Sequence, residues 1–167
     1  MALITPDTPS SAEPVDELLQ YMRMHSGLEF LEAVLRGDLP EPSIGRVLGL
    51  EPVDFSPGHA VWAATPDERH MSLIGSVHGG YTALVLDSAL GWAVHTMLPA
   101  GVAYATLELS VNYIRPITPV TGRVLCEANA IHVGRTTATA DGRLTRESDG
   151  KLLAHAKTTI AVLGEAA

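Results

Sequence analysis

Apolar and polar residues repeat with the period of a helix in some segments of the chain and with the period of a strand in others. The longest helical segment runs from Gly79 to Met97 and is apolar around nearly its whole circumference, with Asp87 as its only acidic residue. This pattern predicts a helix that is buried on almost every side. A carboxylate in so apolar a segment is costly to desolvate unless it is paired or faces a cavity. Asp87 therefore marks a candidate active site.

Two shorter helices are predicted in front of this segment. Pro14 suits the first turn of a helix and is followed by apolar residues at helical spacing. Ser26 and Glu29 form a capping-box pattern that opens a second helix, which a glycine ends shortly before two prolines. We expect residues 1–43 to form a helical extension with a proline-rich link, which serves as a lid or brace on a domain formed by residues 44–167.

Six further segments carry the alternation or the apolar runs of strands and are separated by turn residues. They are residues 44–55, 59–65, 104–113, 123–132, 135–146 and 152–162. The order of elements predicts an α+β fold in which a curved antiparallel sheet wraps around one long helix. Because that helix is apolar on more sides than a single sheet covers, we also expect the chain to form a homo-oligomer.

The sequence His78-Gly79-Gly80 stands at the start of the long helix and suits an anion or a polarised carbonyl oxygen. The first N–H groups of a helix have no intrahelical acceptor and lie at the positive end of its dipole. Within the helix, Gly80, Asp87 and Gly91 share one stripe, and glycines beside an acid let a ligand or another backbone approach closely. One helix thus offers a candidate oxyanion site and a candidate base.

These motifs are followed by a strand that ends in Val111-Asn112-Tyr113-Ile114-Arg115-Pro116. In this order, and with Asp87 nine positions after His78, they resemble the hotdog-fold acyl-CoA thioesterases of the phenylacetate-pathway (PaaI-like) family. The resemblance covers roughly residues 44–163. It implies a hotdog fold, an acyl-CoA substrate, and a homodimer or homotetramer with active sites at the subunit interface. In such a site His78 and Gly79 come from one chain and Asp87 comes from the other.

The same resemblance assigns further positions. Family members carry Asn or Gln six residues before the histidine, where this chain has Ser72, whose shorter hydroxyl still forms hydrogen bonds. Thr106 corresponds to a hydroxyl that holds the water in some relatives. Strict strand alternation places Thr106 on the face away from the helix, so only a bulge would bring it to the site. Gly80, Arg115 and Arg135 are candidate substrate-binding residues, the arginines for the phosphates of CoA.

Each candidate also has a purely structural interpretation. Asp87 could pair with a buried arginine, His78 could only cap the helix, and Gly79 could be required for steric reasons alone. A single arginine such as Arg115 or Arg135 is more often an ordinary solvated side chain. Two chemical routes stay open for Asp87: it acts as a general base on water, or it attacks the thioester itself to form an anhydride.

The net charge of −8 is concentrated in the first part of the chain. Residues 1–70 carry four arginines and twelve acidic residues, a balance of −8, and residues 71–167 carry seven basic and seven acidic residues, a balance of zero. An acidic chain without a basic cluster argues against nucleic acid as a partner. The histidines show no metal-ligand spacing, and neither a metal nor another cofactor is predicted.

Cys126 is the only cysteine, which excludes an intrachain disulfide and suits a reducing compartment. No leader pattern opens the chain, so we expect a cytoplasmic protein. A membrane span is the alternative interpretation of the long apolar helix. It conflicts with Asp87, with His95, with two internal glycines and with the lack of flanking basic residues, so no membrane partner is expected.

Two other functions stay open from the sequence alone. A hotdog dehydratase or hydratase would act on the same class of thioester, although it would place its histidine and acid differently. A non-catalytic acyl-CoA-binding module is the second alternative, because Ser72 stands where the family has an amide. Release of a free thiol from an acyl-CoA would separate a thioesterase from both.

Overall fold

The structure, a computed structural model, describes residues 12–40 and 43–165. The helices are α1 (Ala12–Met24), α2 (Gly27–Arg36), α3 (Ser43–Leu48) and α4 (Gly79–His95). The strands are β1 (Leu50–Ser56), β2 (His59–Ala64), β3 (Val102–Tyr113), β4 (Val124–Val133), β5 (Thr137–Arg146) and β6 (Leu152–Glu165). Short 3₁₀ turns lie at Glu68–His70 and Pro119–Thr121.

All six strands form one antiparallel sheet in the order β1-β2-β4-β5-β6-β3. α4 packs against the face of this sheet and contacts every strand of it. Leu86, Leu90 and Val94 of α4 are fully buried in the core that the helix and the sheet share. The predicted α+β architecture of a sheet around one long helix is confirmed.

α2 belongs to the same core. The predicted capping box at Ser26 is present, and Gly37 ends the helix in the left-handed region at φ 77°. Phe30 and Leu31 are buried among core residues of the sheet and of α4. A Cβ atom on Gly27 would lie 1.8 Å from the carbonyl oxygen of His95, so only glycine allows the start of α2 to approach the end of α4 this closely.

The strand predicted from residue 44 is wrong in its first part. Residues Ser43–Leu48 form α3, and the strand begins only at Leu50. Ile44, Val47 and Leu48 have the i, i+3, i+4 spacing of a helix, and Gly49 ends that helix at φ 64°. The segment is short enough for its apolar residues to fit either period, so the sequence pattern alone did not decide between them.

A β-bulge in β3 sets which residues face α4. Thr106 pairs with Ile160 of β6 and Glu108 pairs with Thr159, so Leu107 between them has no partner. Before the bulge, the helix-facing residue is Thr106. After it, the helix-facing residues have odd numbers, as the half-buried Leu109 indicates. Because of this single extra residue, the residues that face α4 change from even-numbered before the bulge to odd-numbered after it.

The sheet has two edges of different character. β1 forms one edge and contains Pro52, next to a register shift between Pro52 and Asp54. β3 forms the other edge, runs for twelve residues and contains no proline. None of the helices in residues 12–40 and 43–165 has the length and hydropathy needed to cross a bilayer.

Candidate active site

The first turn of α4 is fixed by His78. His78 is the N-cap residue, with φ −60° and ψ 134°, and its Nδ1 atom accepts a hydrogen bond of 2.9 Å from the Gly80 N–H. Its own N–H donates to the carbonyl oxygen of His70 at 2.7 Å. The predicted capping role of His78 is therefore observed. The Gly80 N–H is occupied by this cap, whereas the Gly79 N–H is the first of the helix and has no intrahelical acceptor.

Gly79 is held from the side by a strand residue. The hydroxyl of Tyr113, at the end of β3, donates a hydrogen bond of 3.0 Å to the Gly79 carbonyl oxygen. A Cβ atom on Gly79 would lie 3.4 Å from the Tyr113 ring, which is the limit of ordinary contact. Tyr113 was not among the predicted site residues, although it belongs to the strand-end motif, which was the available signal.

The two glycines that share the stripe of Asp87, Gly80 and Gly91, are packed against side chains of the same chain. A Cβ atom on Gly80 would lie 3.0 Å from Nδ1 of His78, and one on Gly91 would lie 2.8 Å from the ring of Tyr104. In one chain, therefore, neither glycine leaves room for a second backbone. Burial, and to a lesser degree the charge of Asp87, raise the pKa of Tyr104. Tyr104 therefore packs against α4 one turn from the candidate base, and the sequence analysis did not single it out.

Thr106 lies at the candidate site. Its hydroxyl donates a hydrogen bond of 2.9 Å to a carboxylate oxygen of Asp87. The bulge at Leu107 is what brings Thr106 to the helix-facing side of β3, against simple alternation. Asp87 is only partly buried, and among the described residues no arginine forms an ion pair with it. The structural alternative of a buried arginine partner is therefore not observed.

Ser72 closes the loop in front of the helix. Its N–H and its hydroxyl both donate to the carbonyl oxygen of Ser76, at 2.7 and 2.8 Å. The turn between them contains Gly75 at φ 81°, a conformation that favours glycine. The tip of this loop exposes Leu73 and Ile74 almost completely. In this chain the Ser72 hydroxyl thus stabilises the loop that precedes His78.

A cavity of about 310 Å³ opens beside the start of α4. It is lined by Gly79 and Thr82 from the helix, by Ser76 and Val77 before it, and by the segment Tyr113–Ile117 with Leu153. Arg115 lines this cavity, and its guanidinium donates to the carbonyl oxygen of Leu152 at 2.6 Å. The structure therefore places the predicted Arg115 in the lining of the same cavity as Gly79.

Arg135 lies far from this cavity within one chain. It is exposed in the turn between β4 and β5, two residues before Thr137, which pairs with Ala161 of β6. Tyr113 pairs with Ala154 of the same strand. Ala154 and Ala161 are seven residues apart along β6, which is a distance of roughly 23 Å at about 3.3 Å per residue. One chain does not bring Arg115 and Arg135 together.

Gly79 and Asp87 are also separated within one chain. Eight residues of helix lie between them, which is about 12 Å along the axis at 1.5 Å per residue. A carbonyl oxygen at the Gly79 N–H is therefore out of reach of the Asp87 carboxylate of the same helix. No cluster of three or more potential metal ligands occurs among the described side chains.

Known proteins are similar to this chain in sequence. Residues 74–153 match the family model described as the thioesterase superfamily. A protein of Pseudomonas aeruginosa provisionally named an esterase is 33% identical over 122 residues, which cover 72% of this chain and 82% of that protein. Acyl-coenzyme A thioesterase 13 of Homo sapiens is 26% identical over 137 residues, or 81% of this chain and 96% of that protein. A relative from Caenorhabditis elegans, also provisionally named an esterase, is 36% identical over 114 residues, and the chain spans 65% of its length.

Solved structures share the fold. A protein of Ralstonia eutropha that is provisionally named a thioesterase and described as related to phenylacetic acid degradation superposes with a TM-score of 0.72 at 27% identity, covering 79% of this chain and 98% of that one. A Streptococcus mutans protein bound to acetyl-CoA superposes with a TM-score of 0.63 at 26% identity, covering 71% of this chain and 91% of that one.

Proposed function

The chain belongs to the thioesterase superfamily and is a thioester hydrolase, and from this premise we propose that it hydrolyses an acyl-CoA to a free acid and CoA. The resemblance to PaaI-like hotdog thioesterases is confirmed by the family model and by the structural neighbours. One observation carries the proposal: the Thr106 hydroxyl holds the Asp87 carboxylate on an otherwise apolar helix. A relative named as an acyl-coenzyme A thioesterase and a neighbour bound to acetyl-CoA support the substrate class.

In the proposed reaction the Gly79 N–H donates a hydrogen bond to the thioester carbonyl oxygen, on which negative charge develops. Asp87 takes a proton from water while the water oxygen bonds to the carbonyl carbon. The carbon–sulfur bond then breaks, and the CoA thiolate recovers a proton. In the second route Asp87 attacks the carbon directly, and the carbon–sulfur bond breaks to release the CoA thiolate, which takes up a proton. Water then hydrolyses the anhydride that results, which releases the acid and restores the Asp87 carboxylate. In both routes the Thr106 hydroxyl orients the Asp87 carboxylate.

The proposed site is shared between two chains. The separation of about 12 Å along one helix prevents Gly79 and Asp87 of the same chain from acting on one carbonyl. β3 offers an unpaired edge of twelve residues, and it carries the Thr106 that contacts Asp87. A second copy that pairs along this edge would bring its own Gly79 toward Asp87 of the first. A homodimer then has two equivalent sites, and a homotetramer has four.

We assign CoA to the cavity at the start of α4. Arg115 lines it and forms no ion pair with the side chains that the structure describes, so its charge is available to a phosphate. Arg135 would contribute to the same substrate only from the partner chain, because of its distance within one chain. Gly80 and His78 act by shaping the turn that presents the Gly79 N–H.

A cytoplasmic location is also part of the proposal. Cys126 is fully buried, and burial raises the pKa of its thiol, so it is protected from oxidation and from disulfide exchange. A chain whose only cysteine is unpaired in this way is suited to a reducing compartment.

The direct test is release of free thiol from acyl-CoA esters by the purified protein. The Asp87→Asn variant should lose ~10²-fold or more in kcat, the range for loss of a general base, while its amide oxygen still accepts the hydrogen bond from Thr106. Gly79→Pro removes the N–H at the first helical position, where proline is well tolerated, whereas Gly79→Ala retains it. We expect Gly79→Pro to be inactive and Gly79→Ala to be active. Binding of acyl-CoA without thiol release would instead identify a non-catalytic binding module.

A further inference from the structure

The peptide group between Gly79 and Gly80 is held at both of its ends. Its carbonyl oxygen, which belongs to Gly79, accepts a hydrogen bond of 3.0 Å from the Tyr113 hydroxyl. Its N–H, which belongs to Gly80, donates a hydrogen bond of 2.9 Å to Nδ1 of His78. The two partners lie on different elements, Tyr113 at the end of β3 and His78 at the cap of α4. Because a peptide group is planar, contacts at opposite ends resist its rotation.

The direction of the Gly79 N–H depends on this peptide group. The hydrogen bond from Gly80 to His78 closes a ring of atoms that includes the His78 carbonyl carbon, the Gly79 nitrogen and the Gly79 Cα atom. Glycine has a wider choice of φ and ψ than any other residue, so a Gly-Gly pair without such contacts would adopt several orientations. A donor that is oriented before the substrate arrives needs no reorganisation when charge develops on the carbonyl oxygen.

The hydrogen bond from Tyr113 is not needed to satisfy either of its partners. Gly79 is the first residue of α4, so its carbonyl oxygen already has a donor in the N–H one turn later in the helix. Tyr113 is 55% exposed, so water can hydrate its hydroxyl. Neither group would be left buried without a partner if the bond were absent. Orientation of Gly79 is therefore a better account of this contact than stability.

The backbone that carries Tyr113 is itself anchored. Tyr113 pairs with Ala154 of β6. The next two N–H groups, those of Ile114 and Arg115, both donate to the carbonyl oxygen of the fully buried Leu153, at 2.8 and 3.0 Å. The hydroxyl of Tyr113 thus projects from a strand end that is fixed to the sheet.

The same segment also holds the residue in front of His78. The carbonyl oxygen of Ile117 accepts a hydrogen bond of 2.7 Å from the Val77 N–H, and both residues are buried. The end of β3 therefore contacts the start of α4 on both sides of His78, through Val77 and through Gly79. Such a double contact transmits the position of the sheet to the first turn of the helix.

We propose that Tyr113 is a positioning residue for hydrolysis: its hydroxyl holds the Gly79 carbonyl oxygen and, together with His78, aims the Gly79 N–H at the thioester carbonyl oxygen. The inference rests on the proposed thioesterase function and adds a residue to its site. Tyr113 itself forms no bond with the reacting atoms. Its effect reaches the substrate through the orientation of Gly79.

The first experiment compares two hydroxyls that bind backbone carbonyl oxygens at the start of α4. Tyr113→Phe removes the hydroxyl at Gly79. Tyr81→Phe is the matched control, because the hydroxyl of the buried Tyr81 donates to the Leu48 carbonyl oxygen at 2.9 Å and does not contact Gly79. Tyr81→Phe should lower Tm more than Tyr113→Phe, since its hydrogen bond is better shielded from water.

Activity should follow the opposite order. We expect Tyr113→Phe to lower kcat about tenfold, less than the roughly 10²- to 10³-fold for loss of an oxyanion donor itself. Its KM and both constants of Tyr81→Phe should stay within about twofold of the wild type. A wild-type kcat in Tyr113→Phe, or a fall in kcat that follows Tm in the two variants, would overturn the positioning role. So would a raised KM with unchanged kcat, since it would place the hydroxyl in substrate binding.

The second experiment measures the contact on the thioester directly. Octanoyl-CoA with a heavy carbon isotope at the thioester carbonyl is bound to Asp87→Asn, and the carbonyl stretch is recorded by infrared difference spectroscopy. A hydrogen bond from Gly79 should shift this band below its frequency in water. Adding Tyr113→Phe should move the band back towards the solution value, whereas adding Tyr81→Phe should leave it in place. A band that is the same with and without the Tyr113 hydroxyl would overturn the inference.

This measurement requires binding but no turnover, and it therefore separates the inference from the proposed function. If the protein released no thiol from any acyl-CoA while the band responded to Tyr113→Phe, the proposed hydrolysis would fail and the positioning role would stand. Thiol release with a kcat and a band that ignore Tyr113→Phe would give the opposite result. A bound thioester with the band at its solution frequency would contradict both the Gly79 contact and the role of Tyr113.

Discussion

The hydroxyl of Thr106 donates a hydrogen bond of 2.9 Å to the carboxylate of Asp87, across the gap between an edge strand and the central helix. The contact exists because Leu107 has no partner on β6, so the strand changes faces directly after Thr106. With one carboxylate oxygen held in this way, the other is left for a water or a carbonyl carbon. Thr106 is therefore a positioning residue in the proposed mechanism.

Replacing Thr106 by Val removes this hydroxyl and keeps the branched shape. We expect kcat to fall by several-fold to tenfold, corresponding to about 1 kcal/mol for one hydrogen bond, with little change in KM. Thr106→Ser should restore most of the activity. Ser110→Ala, on the exposed outward face of the same strand, is the control for general effects on β3. Steady-state thiol release measures all three, and wild-type turnover in Thr106→Val would exclude the positioning role.

Mixing two inactive variants tests whether sites are shared. Asp87→Asn and Gly79→Pro subunits, unfolded together and refolded, should recover about a quarter of wild-type activity, because half of randomly formed dimers contain one intact site of two. Light scattering should show twice the chain mass or a larger multiple. If Gly79 and Asp87 acted within one chain, the mixture would stay inactive. A stable monomer at micromolar concentration would also contradict the shared site.

Gly91 should not tolerate a methyl group. A Cβ atom there would lie 2.8 Å from the Tyr104 ring, so Gly91→Ala should destabilise the protein by roughly 1–3 kcal/mol, despite the better helix propensity of alanine. Gly45 in α3 is the matched control, because its nearest neighbours would lie at 3.9 Å. Gly45→Ala should be neutral or stabilising by up to about 1 kcal/mol. Thermal unfolding followed by circular dichroism compares the two, and similar Tm changes would disprove the Tyr104 contact.

His95 predicts a loss of stability in mild acid. Its pKa is lowered from 6.5 to about 4 in the folded state, so between these values the unfolded chain binds more protons than the folded one. The contribution of the neutral His95 ring to the free energy of unfolding is complete above pH 6.5, and about 3 kcal/mol of it is lost as the pH falls to 4. Tyr104, which contacts the ring, stays neutral in this range because burial raises its pKa.

The measurement for His95 is urea unfolding at pH 7.5 and pH 5 for the wild type and His95→Leu. The variant should lose less stability over this interval than the wild type, while the carboxylates contribute equally to both. Parallel pH dependence in the two proteins would show that His95 does not titrate as described.

Ser72→Asn tests the loop in front of α4. An asparagine amide can replace the hydrogen bond that the Ser72 hydroxyl donates to Ser76, so Tm should change little. We expect kcat/KM to change several-fold for at least one thioester, because an added amide near the carbonyl or the water contributes on the order of 1 kcal/mol. If no member of an acyl-CoA panel responds while Asp87→Asn abolishes turnover, Ser72 does not correspond to the family's amide position.

The sequence pattern predicted the parts of the fold that local periodicity determines. The long helix α4 was predicted because an apolar pattern that continues through nineteen residues is a strong signal. The helix α3 was missed because the apolar residues of a six-residue segment fit both the helical and the strand period. The bulge in β3 depends on pairing with β6, where the buried Thr158 hydroxyl donates to the Glu108 carbonyl oxygen at 2.7 Å. Such a contact between residues fifty positions apart leaves no trace in alternation. For this reason alternation alone placed Thr106 on the face away from α4. The sequence could name a bulge only as the condition under which Thr106 would reach the site.

The unequal edges of the sheet bear on how the protein avoids aggregation. A long strand edge without proline is a template for any other extended chain, and β3 must remain such an edge for the proposed site to assemble. At the opposite edge, Pro52 offers no N–H and the register shift beside it interrupts the ladder. If a sheet can be extended at just one of its edges, it accepts a single partner sheet and then stops growing. Pairing through β3 is therefore self-terminating, and the chain cannot polymerise into a fibre by repeating the same contact.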